Sequence, residues 1–582
     1  MLSYRKLAMR VLGRPLNTGG GNNSPRPASQ RAAALVLTAA MLTTFTAPAF
    51  AGTWYIEDGD ITISAGESGN NVTQNENTTK NDTDTIITNR EEGASSHTVT
   101  IDAKDKDDKV EVTLKDANID TSKQSKAAVS VTGSGDTTIE LDGDNELQGG
   151  DRHAGLEHNQ TVDSEGNVTS GKLTIQDDND NAGSLTATGG YFGAGIGGGS
   201  AKAGQVTITG GTITAISGDG AGIGGGQGNM GSNAGNADIE ISGGTIEATG
   251  GYTSAGIGGG YYGDATIKIT GDAVIKNATG GTFGAGIGGG YGASGTVTIK
   301  DDSTVTATGG EAGAGIGGGV GGLADVTIEG NATVNAIGGV GSAGIGGGYD
   351  AENDEDDGNG NQISIKSNES GAPTVNATGG ESSIDKKTGE KIPGGAGIGS
   401  GAGDAKANIT LEGKVTIVAK AGEGNAAIGD MNGEQVFTGL DGSITRYDSE
   451  GNDTTLPTDP GYPVPADTSS SGGGSAGASV QESVFPGLVV TDKDGQRISY
   501  TSIRGNNVLS LRVGRFTASL HASLSTLRQL RAEGIDTITF QTILCSTTLS
   551  VDELLAMGGE DAEVVLTHHI RSSTLTVGGK AV

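Results

Sequence analysis

The chain has 582 residues, of which 107 are glycine, and its formal charge is −33. Aromatic residues make up 3% of the sequence, too few for several ordinary globular cores, and the glycines lack the G-X-Y period of collagen. The negative charge disfavours nucleic acids and other polyanions as ligands. Because Cys545 is the one cysteine, an intramolecular disulfide framework is excluded, and a repetitive all-β protein stabilised by stacking remains.

The first 51 residues have the pattern of a secretory signal peptide. Six basic side chains and no acidic one precede Glu57, an apolar stretch covers residues 32–46, and Ala49-Phe50-Ala51 fits the A-x-A cleavage signal. The apolar stretch is shorter than the roughly 20 residues that span a bilayer, although an uncleaved anchor is the alternative. We therefore expect residues 1–51 to be removed, leaving a secreted or surface-held chain without a transmembrane segment.

The mature chain is predicted to begin with short strands. Residues 54–64 alternate apolar and polar side chains around an Asp58-Gly59 turn signal, which predicts a strand, a turn and a second strand that cap the core. The same alternation predicts further strands over residues 98–102, 110–114, 127–132 and 138–141.

A six-residue motif, Ala-Gly-Ile-Gly-Gly-Gly, organises the chain that follows. It first occurs at residues 194–199, and two weaker copies close the series at residues 396–401 and 427–430. The motif isoleucines are Ile196, Ile223, Ile257, Ile287, Ile316, Ile345, Ile398 and Ile428, with spacings of 27, 34, 30, 29, 29, 53 and 30 residues. Such a period is typical of a stacked repeat architecture. Val129 and Leu156 occupy the positions of degenerate copies, so residues 52–430 are predicted to form about ten coils.

Each repeat contains three short strands in which apolar residues alternate with polar or small ones. In one well-formed repeat the residues that share a face are Val297 with Ile299, Val305 with Ala307, and Ala314 with Ile316. Three faces and about thirty residues per turn predict a parallel β-helix. The hexapeptide pattern of left-handed helices is absent, which favours the right-handed form. Two polar insertions, residues 350–360 and 382–393, explain the spacing of 53 residues and are expected to leave the rod as loops.

The motif glycines have two interpretations. Glycine permits tight turns, positive φ and the close approach of another segment, and this structural interpretation is the favoured one. Alternatively, if each isoleucine points inward, the stacked glycines form a flat strip of bare backbone that could accept an extended ligand.

Eight aromatic residues flank the motif copies, and they are our candidate ligand-binding residues. They are Tyr191, Phe192, Tyr252, Tyr261, Tyr262, Phe283, Tyr291 and Tyr349. Aligned across coils, they would form a ladder on one edge, where tyrosine presents a flat apolar body and a polar tip to sugars or protein surfaces. The alternative is that the rings pack on one another and shield the turns.

Outward threonine pairs raise the question of binding to a crystalline surface such as ice. Pairs such as Thr304/Thr306 would support it if they recurred regularly, but equivalent positions in other coils hold Glu240, Glu247 and Lys268. Ordinary polar cross-strand pairs are the favoured interpretation.

Two acidic segments, residues 177–180 and 350–357, could bind calcium weakly. Neither fits the twelve-residue calcium loop, because counting from Asn353 places Ser364 where a glutamate is required. Solvated loops are the simpler interpretation, and no metal site or cofactor is predicted.

Evidence for catalysis in the sequence is sparse. The regular coils contain no compact cluster of Asp, Arg and His that breaks the repeat, and Asp151-Arg152-His153 in a degenerate coil is the nearest candidate. His568 and His569 lie on a predicted strand, where adjacent side chains point to opposite faces. We therefore predict no catalytic residue and no enzymatic activity, with a polysaccharide lyase or hydrolase as an alternative.

Beyond residue 430 the composition changes. Residues 431–480 combine hairpin signals with a linker, in which four prolines precede a Gly/Ser-rich run. Residues 481–582 are predicted to form a small α+β domain. Its predicted strands cover residues 488–491, 498–502, 508–513, 537–544, 564–568 and 573–577, and its predicted helices cover residues 526–532 and the segment from the capping box Ser550-Val-Asp-Glu553 to Met557.

The repeat VTITGG-TITA-GAGIGGG, together with the signal sequence and the strand at Trp54, resembles a family of bacterial extracellular glycine-rich proteins of the carbohydrate-binding-domain-containing type. The resemblance covers residues 120–430, and the AGIGGG run is its distinctive part. It implies a location outside a Gram-positive bacterial cell and binding of glycans. It carries over no catalytic residue.

Three hypotheses of function follow from the sequence. The first is a secreted or cell-surface β-helix that binds an extracellular glycan, or a host or neighbouring surface, through the glycine strip and the aromatic residues, as an adhesin does. The second is a structural stalk that presents the C-terminal domain. The third is an enzyme that degrades polysaccharides.

Overall fold

The computed structural model describes residues 51–581 apart from residues 180, 229–234, 354–359, 387–388, 404, 438–439, 463–487, 494, 499, 506, 514, 533, 543–544, 558–561 and 570–571. Nearly all of the predicted signal peptide and most of the Gly/Ser-rich linker lie outside the described residues, as do parts of both acidic segments. No helix within the described ranges is long and apolar enough to cross a membrane.

The N-terminal part of the chain forms short strands and one 3₁₀ turn, Ile56–Asp58. The strands are β1 (Thr53–Tyr55), β2 (Ile61–Ala65), β3 (Asn70–Gln74), β4 (Asn77–Asp82), β5 (Ile86–Thr88), β6 (Val99–Ala103), β7 (Lys109–Lys115), β8 (Asn118–Asp120), β9 (Val129–Gly133), β10 (Asp136–Gln148) and β11 (Leu156–His158).

The regular repeats contribute three strands per coil. They are β12 (Leu173–Gln176), β13 (Gly183–Thr188), β14 (Ile196–Gly197), β15 (Gly204–Ile208), β16 (Thr212–Ile216), β17 (Ile223–Gly224), β18 (Ala237–Ile241), β19 (Thr245–Thr249), β20 (Ile257–Gly258), β21 (Ala265–Ile269), β22 (Val274–Thr279), β23 (Ile287–Gly288), β24 (Gly295–Ile299), β25 (Thr304–Thr308), β26 (Ile316–Gly317), β27 (Ala324–Glu329), β28 (Thr333–Ile337) and β29 (Ile345–Gly346).

The last coils contain the insertion hairpin and end in a short antiparallel pair. Their strands are β30 (Asn361–Lys366), β31 (Thr374–Thr378), β32 (Ser383–Ile384), β33 (Lys391–Ile392), β34 (Ile398–Gly399), β35 (Ala407–Glu412), β36 (Lys414–Lys420), β37 (Ile428–Asp430), β38 (Gly433–Glu434) and β39 (Asp441–Tyr447).

These strands stack into a parallel β-solenoid with three ladders. We call them the first ladder, which runs through β15, β18, β21, β24, β27 and β30; the second ladder, which runs through β13, β16, β19, β22, β25, β28 and β31; and the third ladder, which runs from β2 and β6 through the motif strands to β37. Successive strands are parallel and in register, as in the pairing of Ile257 with Ile287 and of Ile287 with Ile316. The predicted parallel β-helix is thereby confirmed.

The core is the inward column of each ladder. Val297, Ile299, Val305, Ala307 and Ile316 are all fully buried, as their alternation predicts. Such stacking removes apolar surface from water only when a neighbouring coil is present, which is why the repeats stabilise one another.

The degenerate copies of the motif occupy the predicted positions, but the solenoid has more coils than the ten predicted and extends past residue 430. Leu156 pairs with both Val129 and Ile196 in the third ladder. Before them, Ile61 pairs with Val99 in two additional N-terminal coils that carry no glycine motif. At the other end we expected the last coil to end near Asp430, but β39 adds one more parallel strand to the second ladder, beside β36.

The N-terminal end of the solenoid is covered by a small cap. Strand β3 pairs antiparallel with β2, and β4 pairs antiparallel with β3, which ends the parallel ladder there. The indole Nε1 of Trp54 donates to Asp82 Oδ2 at 2.7 Å, and the backbone N–H of Gly52 donates to Oδ1 of the same carboxylate. The predicted initial strand and its tryptophan thus belong to the capped end.

The C-terminal region has its own two sheets and two helices. Its elements are β40 (Leu488–Thr491), β41 (Thr501–Gly505), β42 (Val508–Arg512), β43 (Ala518–Ser523), α1 (Leu524–Ala532), β44 (Thr537–Gln541), β45 (Ser546–Ser550), α2 (Val551–Ala556), β46 (Glu563–His568), β47 (Ser573–Val577) and β48 (Lys580–Ala581). The Ser550 side chain accepts a hydrogen bond from the Glu553 backbone, so the capping box opens α2 as predicted. Strands β43 and β45 were missed by the sequence analysis.

Candidate functional site

Every copy of the glycine motif from residues 194–199 to residues 396–401 folds into a tight loop around its isoleucine. The Ala255 N–H donates to the Gly259 carbonyl at 2.9 Å, and the same bond recurs from Ala285 to Gly289. The glycine after each isoleucine has positive φ, +139° at Gly258, a conformation that side chains of L-residues disfavour. The motif is therefore a closed turn with a two-residue strand at its centre.

The glycines of this loop are buried, so the glycine strip is not an exposed surface. A Cβ added to Gly256 would lie 2.7 Å from the Gly286 carbonyl oxygen, and one added to Gly258 would lie 1.9 Å from that of Gly288. Backbone of the next coil fills the space where these side chains would stand. The hypothesis of ligand binding on a glycine strip was wrong, because we assumed a flat strand where the chain turns back on itself.

Two turns flank every motif loop, and the candidate aromatic residues lie in them. Tyr252 and Phe283 lie in turns that precede the motif, whereas Tyr261 and Tyr291 lie in turns that follow it. Backbone hydrogen bonds join the two kinds of turn: the Tyr291 N–H donates to the Thr253 carbonyl at 2.8 Å. This junction brings together rings that are as much as 39 residues apart in sequence.

Five of the eight candidate residues form one continuous group, which we call the aromatic cluster: Tyr252, Tyr261, Tyr262, Phe283 and Tyr291. Tyr291 is its centre, with ring centroids 5.6 Å from Tyr261, Tyr262 and Phe283. Phe283 in turn contacts Tyr252 edge to face at 5.1 Å. Tyr252 is 57% exposed, so the cluster presents one open ring, which contacts Phe283 on its inner side.

The remaining three candidates lie in two separate places. Tyr191 and Phe192 contact each other at 4.6 Å, with the Arg152 guanidinium 5.4 Å from the Phe192 ring, and Tyr191 is 62% exposed. Tyr349 lies against Gly341, where an added Cβ would be 2.8 Å from the tyrosine ring. The aromatic residues thus form local groups and not one ladder along the rod.

Tyr349 also borders a cavity of about 240 Å³ beside the insertion hairpin β32–β33. Ile392, Pro393 and Met431 supply its other apolar walls. Lys391, at its rim, forms an ion pair with Glu423. The insertion predicted over residues 382–393 is therefore a folded hairpin, with residues 387–388 outside the described part.

The candidate triplet Asp151-Arg152-His153 does not form a unit. His153 Nδ1 lies 2.8 Å from Glu157 Oε2, and that carboxylate also accepts the Ala154 N–H at 3.1 Å. Hydrogen bonding to Glu157 raises the pKa of His153. Asp151 points to solvent and lies 3.7 Å from its neighbour Arg152.

Glu157 is a residue that the sequence analysis missed. It pairs with Gly197, so a glutamate replaces the motif glycine in this degenerate coil. Its other oxygen accepts a hydrogen bond from Asn159, which accepts in turn from the Gly199 N–H. The signal was present in the sequence as a charged residue at a position that glycine fills elsewhere.

A polar groove of about 430 Å³ lies on the first ladder and is bordered by the end of the connection between β11 and β12. Its charged lining residues are Lys106, Asp136, Lys172, Asp238 and Glu240. Glu240 forms ion pairs with Lys268 at 2.7 Å and with Lys172 at 3.5 Å. No aromatic ring lines this groove, and its charges largely compensate one another.

The two C-terminal histidines differ in environment, as strand geometry requires. His568 is fully buried between Thr542 and Thr547, which lie 3.1 and 2.9 Å from its ring nitrogens, and burial lowers its pKa. His569 is exposed. Among the described residues, no group of three or more His, Cys, Asp or Glu is arranged to hold a metal ion.

Comparison with known families agrees with this architecture. A family model described as a beta helix repeat matches residues 181–200, 206–227, 239–261, 267–291, 297–320 and 326–349, which are the regular coils. No curated protein and no solved structure matches the chain. Fold and repeat together define a parallel β-helix repeat protein. Because such repeats occur in enzymes and in non-enzymes alike, the match by itself assigns no reaction.

Proposed function

We propose that this protein is a secreted or cell-surface β-solenoid that binds extracellular carbohydrate through the exposed rings at the ends of its second-ladder strands, in an adhesin-like role. The observation that carries the proposal is the aromatic cluster together with the neighbouring pair Tyr191 and Phe192. Both groups present one largely exposed tyrosine that contacts a half-buried phenylalanine ring.

A second aromatic ring contacts each exposed tyrosine, and this arrangement favours ligand binding over simple packing as the role of the rings. A tyrosine fixed by edge-to-face contacts loses little conformational entropy when a ligand covers its face, and its hydroxyl remains available for hydrogen bonds. The apolar face of a sugar ring and its hydroxyl groups match these two properties. A site of this kind is open, which suits a long polymer better than a small molecule.

Binding to immobilised glycans tests the proposal. The chain from residue 52 to the end is applied to an array of bacterial, plant and animal glycans, and the double variant Tyr191→Ala/Tyr252→Ala is expected to lose the signal. The matched control is Val162→Ala, which also removes a residue that is 57% exposed but lies outside the aromatic groups. Retention of no glycan by the parent chain, or equal retention by the tyrosine variant, contradicts the proposal.

A second candidate is a stalk that presents the C-terminal region. The observation that favours it is the separate hydrophobic core of that region, built from residues such as Leu509, Phe540 and Leu566. A stalk predicts that residues 481–582 alone retain the partner binding of the whole chain, whereas the carbohydrate proposal predicts that residues 52–462 retain it. The two truncations, compared with the full chain on the same array, distinguish the candidates.

A further inference from the structure

The outward face of the second ladder carries almost no charge across seven consecutive coils. We call it the neutral face, and it is formed by the outward residues of β13, β16, β19, β22, β25, β28 and β31. Those residues are Ser184, Thr186, Thr188, Thr212, Thr214, Ile216, Thr245, Glu247, Thr249, Val274, Lys276, Asn277, Thr279, Thr304, Thr306, Thr308, Thr333, Asn335, Ile337, Thr374, Asn376 and Thr378. The two charged members, Glu247 and Lys276, form an ion pair with each other at 3.3 Å.

The first ladder and the coils at both ends of the neutral face carry more charge than the face itself. On the first ladder, the same coils carry six outward charges on strands β18, β21, β27 and β30: Asp238, Glu240, Lys268, Asp325, Glu329 and Lys366. Along the second ladder itself the neutral face ends at charged coils, with Asp144 and Glu146 on β10 and Lys414 and Lys420 on β36. A chain of formal charge −33 therefore keeps one bounded face free of unpaired charge.

The residues of the neutral face are arranged in columns, which a bulge at Lys276 in β22 interrupts. Thr304 pairs with Thr333, which pairs with Thr374, and the next column joins Asn335 to Asn376, whose side-chain amides are hydrogen-bonded at 2.8 Å. Rows repeat at the strand spacing of about 4.8 Å, and outward residues along a strand repeat at about 6.6 Å. From β25 to β31 the register is unbroken, and the result there is a regular array of hydroxyl, methyl and amide groups.

This surface chemistry indicates which partner fits. A face without charges has nothing to pair with the phosphates or carboxylates of a polyanion, and a charged partner would lose its hydration without compensation. Hydroxyl and amide groups both donate and accept hydrogen bonds, which matches the hydroxyl groups of an uncharged polysaccharide. The exposed rings border the face, because Tyr191 and Tyr252 each follow the last residue of a second-ladder strand by three positions.

We infer that the neutral face binds the packed surface of an uncharged polysaccharide, whose chains lie side by side against the threonine columns. The inference rests on the carbohydrate binding proposed above and names its ligand class: an insoluble, neutral, regularly packed glycan. The aromatic residues bind at the edge of the face, and the columns bind across the rest of it.

Adsorption to particles tests this inference. The mature chain is mixed with cellulose, chitin and β-1,3-glucan particles and, in a parallel arm, with carboxymethylated cellulose particles, and the depletion of protein from solution is measured. The double variant Thr306→Lys/Asn335→Lys places two unpaired charges on the neutral face. We expect it to lower the partition coefficient on the neutral particle that binds best by about tenfold, since each lysine would be desolvated without a partner.

A matched variant controls for added charge. Thr296→Lys/Thr327→Lys introduces the same two lysines at outward positions of the first ladder in the same part of the rod. It is expected to adsorb within about twofold of the parent chain, because these positions lie outside the proposed contact. Circular dichroism and melting temperature of both variants verify that the solenoid is intact.

Several outcomes overturn the inference. They are adsorption to none of the neutral particles, an equal loss in both lysine variants, no loss in the neutral-face variant, and stronger adsorption to the carboxymethylated particles. A parent chain that dimerises in sedimentation, with the dimer abolished only by Thr306→Lys/Asn335→Lys, also overturns it, because the face then binds a second copy. If soluble glycans still require Tyr191 and Tyr252, the proposed function stands while this inference fails.

Discussion

The regular coils and the final coil differ in the kind of side chain that they bury at inward positions. Between residues 183 and 349 the inward side chains of the strands are alanine, valine, isoleucine and leucine, each covered by the next coil. In the last strand, β39, Arg446 pairs with Ala419 of the strand before it and is fully buried. An apolar column is stable only while another coil follows, so the final coil ends it with a charged group that has partners of its own.

The partners of Arg446 close the end of the rod. Its Nε and Nη2 donate to the two oxygens of Asp459 at 2.7 and 3.0 Å, and Asp459 is itself buried. Glu434 takes the place of a following coil. In regular coils the N–H groups of the motif isoleucine and of the residue before it donate to carbonyls of the next coil, as Gly256 and Ile257 do. The equivalent N–H groups of Ala427 and Ile428 donate to the Glu434 carboxylate at 2.6 and 3.0 Å. Unpaired backbone groups at an exposed strand edge favour pairing with another chain. Because the Glu434 carboxylate accepts from the N–H groups of Ala427 and Ile428, those groups do not pair with another strand.

The largest effect is expected from a variant that disrupts the C-terminal end of the solenoid. Arg446→Ala leaves the buried Asp459 carboxylate without its cation, and we expect it to destabilise the last coils by about 3–5 kcal/mol. Hydrogen exchange of the β36 and β39 amides measures this directly, because a solenoid can unfold from its end. The double variant Arg446→Met/Asp459→Leu is expected to recover most of the loss. Unchanged protection in Arg446→Ala contradicts a capping role.

A smaller effect is expected from one glycine in a regular coil. Gly258→Ala forces an L-residue to positive φ and places its Cβ 1.9 Å from the Gly288 carbonyl, which should cost at least about 1–3 kcal/mol. Chemical denaturation followed by circular dichroism measures the change. Gly93→Ala is the control, because its Cβ would meet nothing within 4 Å and its φ is ordinary, and it should stay within about 0.5 kcal/mol of the parent. Equal stability of both variants would show that the motif glycines are dispensable for folding.

The smallest effect is expected in the degenerate coil around β11, which precedes the regular coils. Glu157 raises the pKa of His153 above 6.5, with a further contribution from Asp151. The stabilisation is therefore fully present below pH 6.5 and is lost as the pH rises through the higher pKa of the folded state. Nearby His158 opposes it: burial lowers its pKa, and its contribution is lost as the pH falls below 6.5.

Exchange of the Ala154 amide, corrected for its intrinsic rate, reports on the His153–Glu157 contact. In the parent chain its protection should fall as the pH rises above 6.5, and in His153→Gln this dependence should disappear. The effect is small because the His153 side chain is 35% exposed and solvent screens the pair. The same pH profile in both chains would refute the assignment.

The periodic parts of the fold could be predicted from sequence, and the non-periodic parts could not. The positions of Val129 and Leu156 followed from spacing alone, and both lie where the repeat requires. The two N-terminal coils were missed because Ile61 and Val99 lack the glycine motif that marks the others. Burial of the motif glycines depends on how the flanking turns fold back, which local alternation does not encode. Arg446 resembles any polar strand residue until the absence of a following coil is known.

The hydrogen bond that closes each motif loop lies within a single coil. Ala343 bonds to Gly347, and Ala396 bonds to Ser400, although 53 residues separate the two isoleucines that stack between these coils, Ile345 and Ile398. The long insertions in that interval leave the pairing register unchanged. Whole coils can therefore be added, removed or given new loops during evolution or engineering. The length of the rod can change in this way without changing the structures at its two ends.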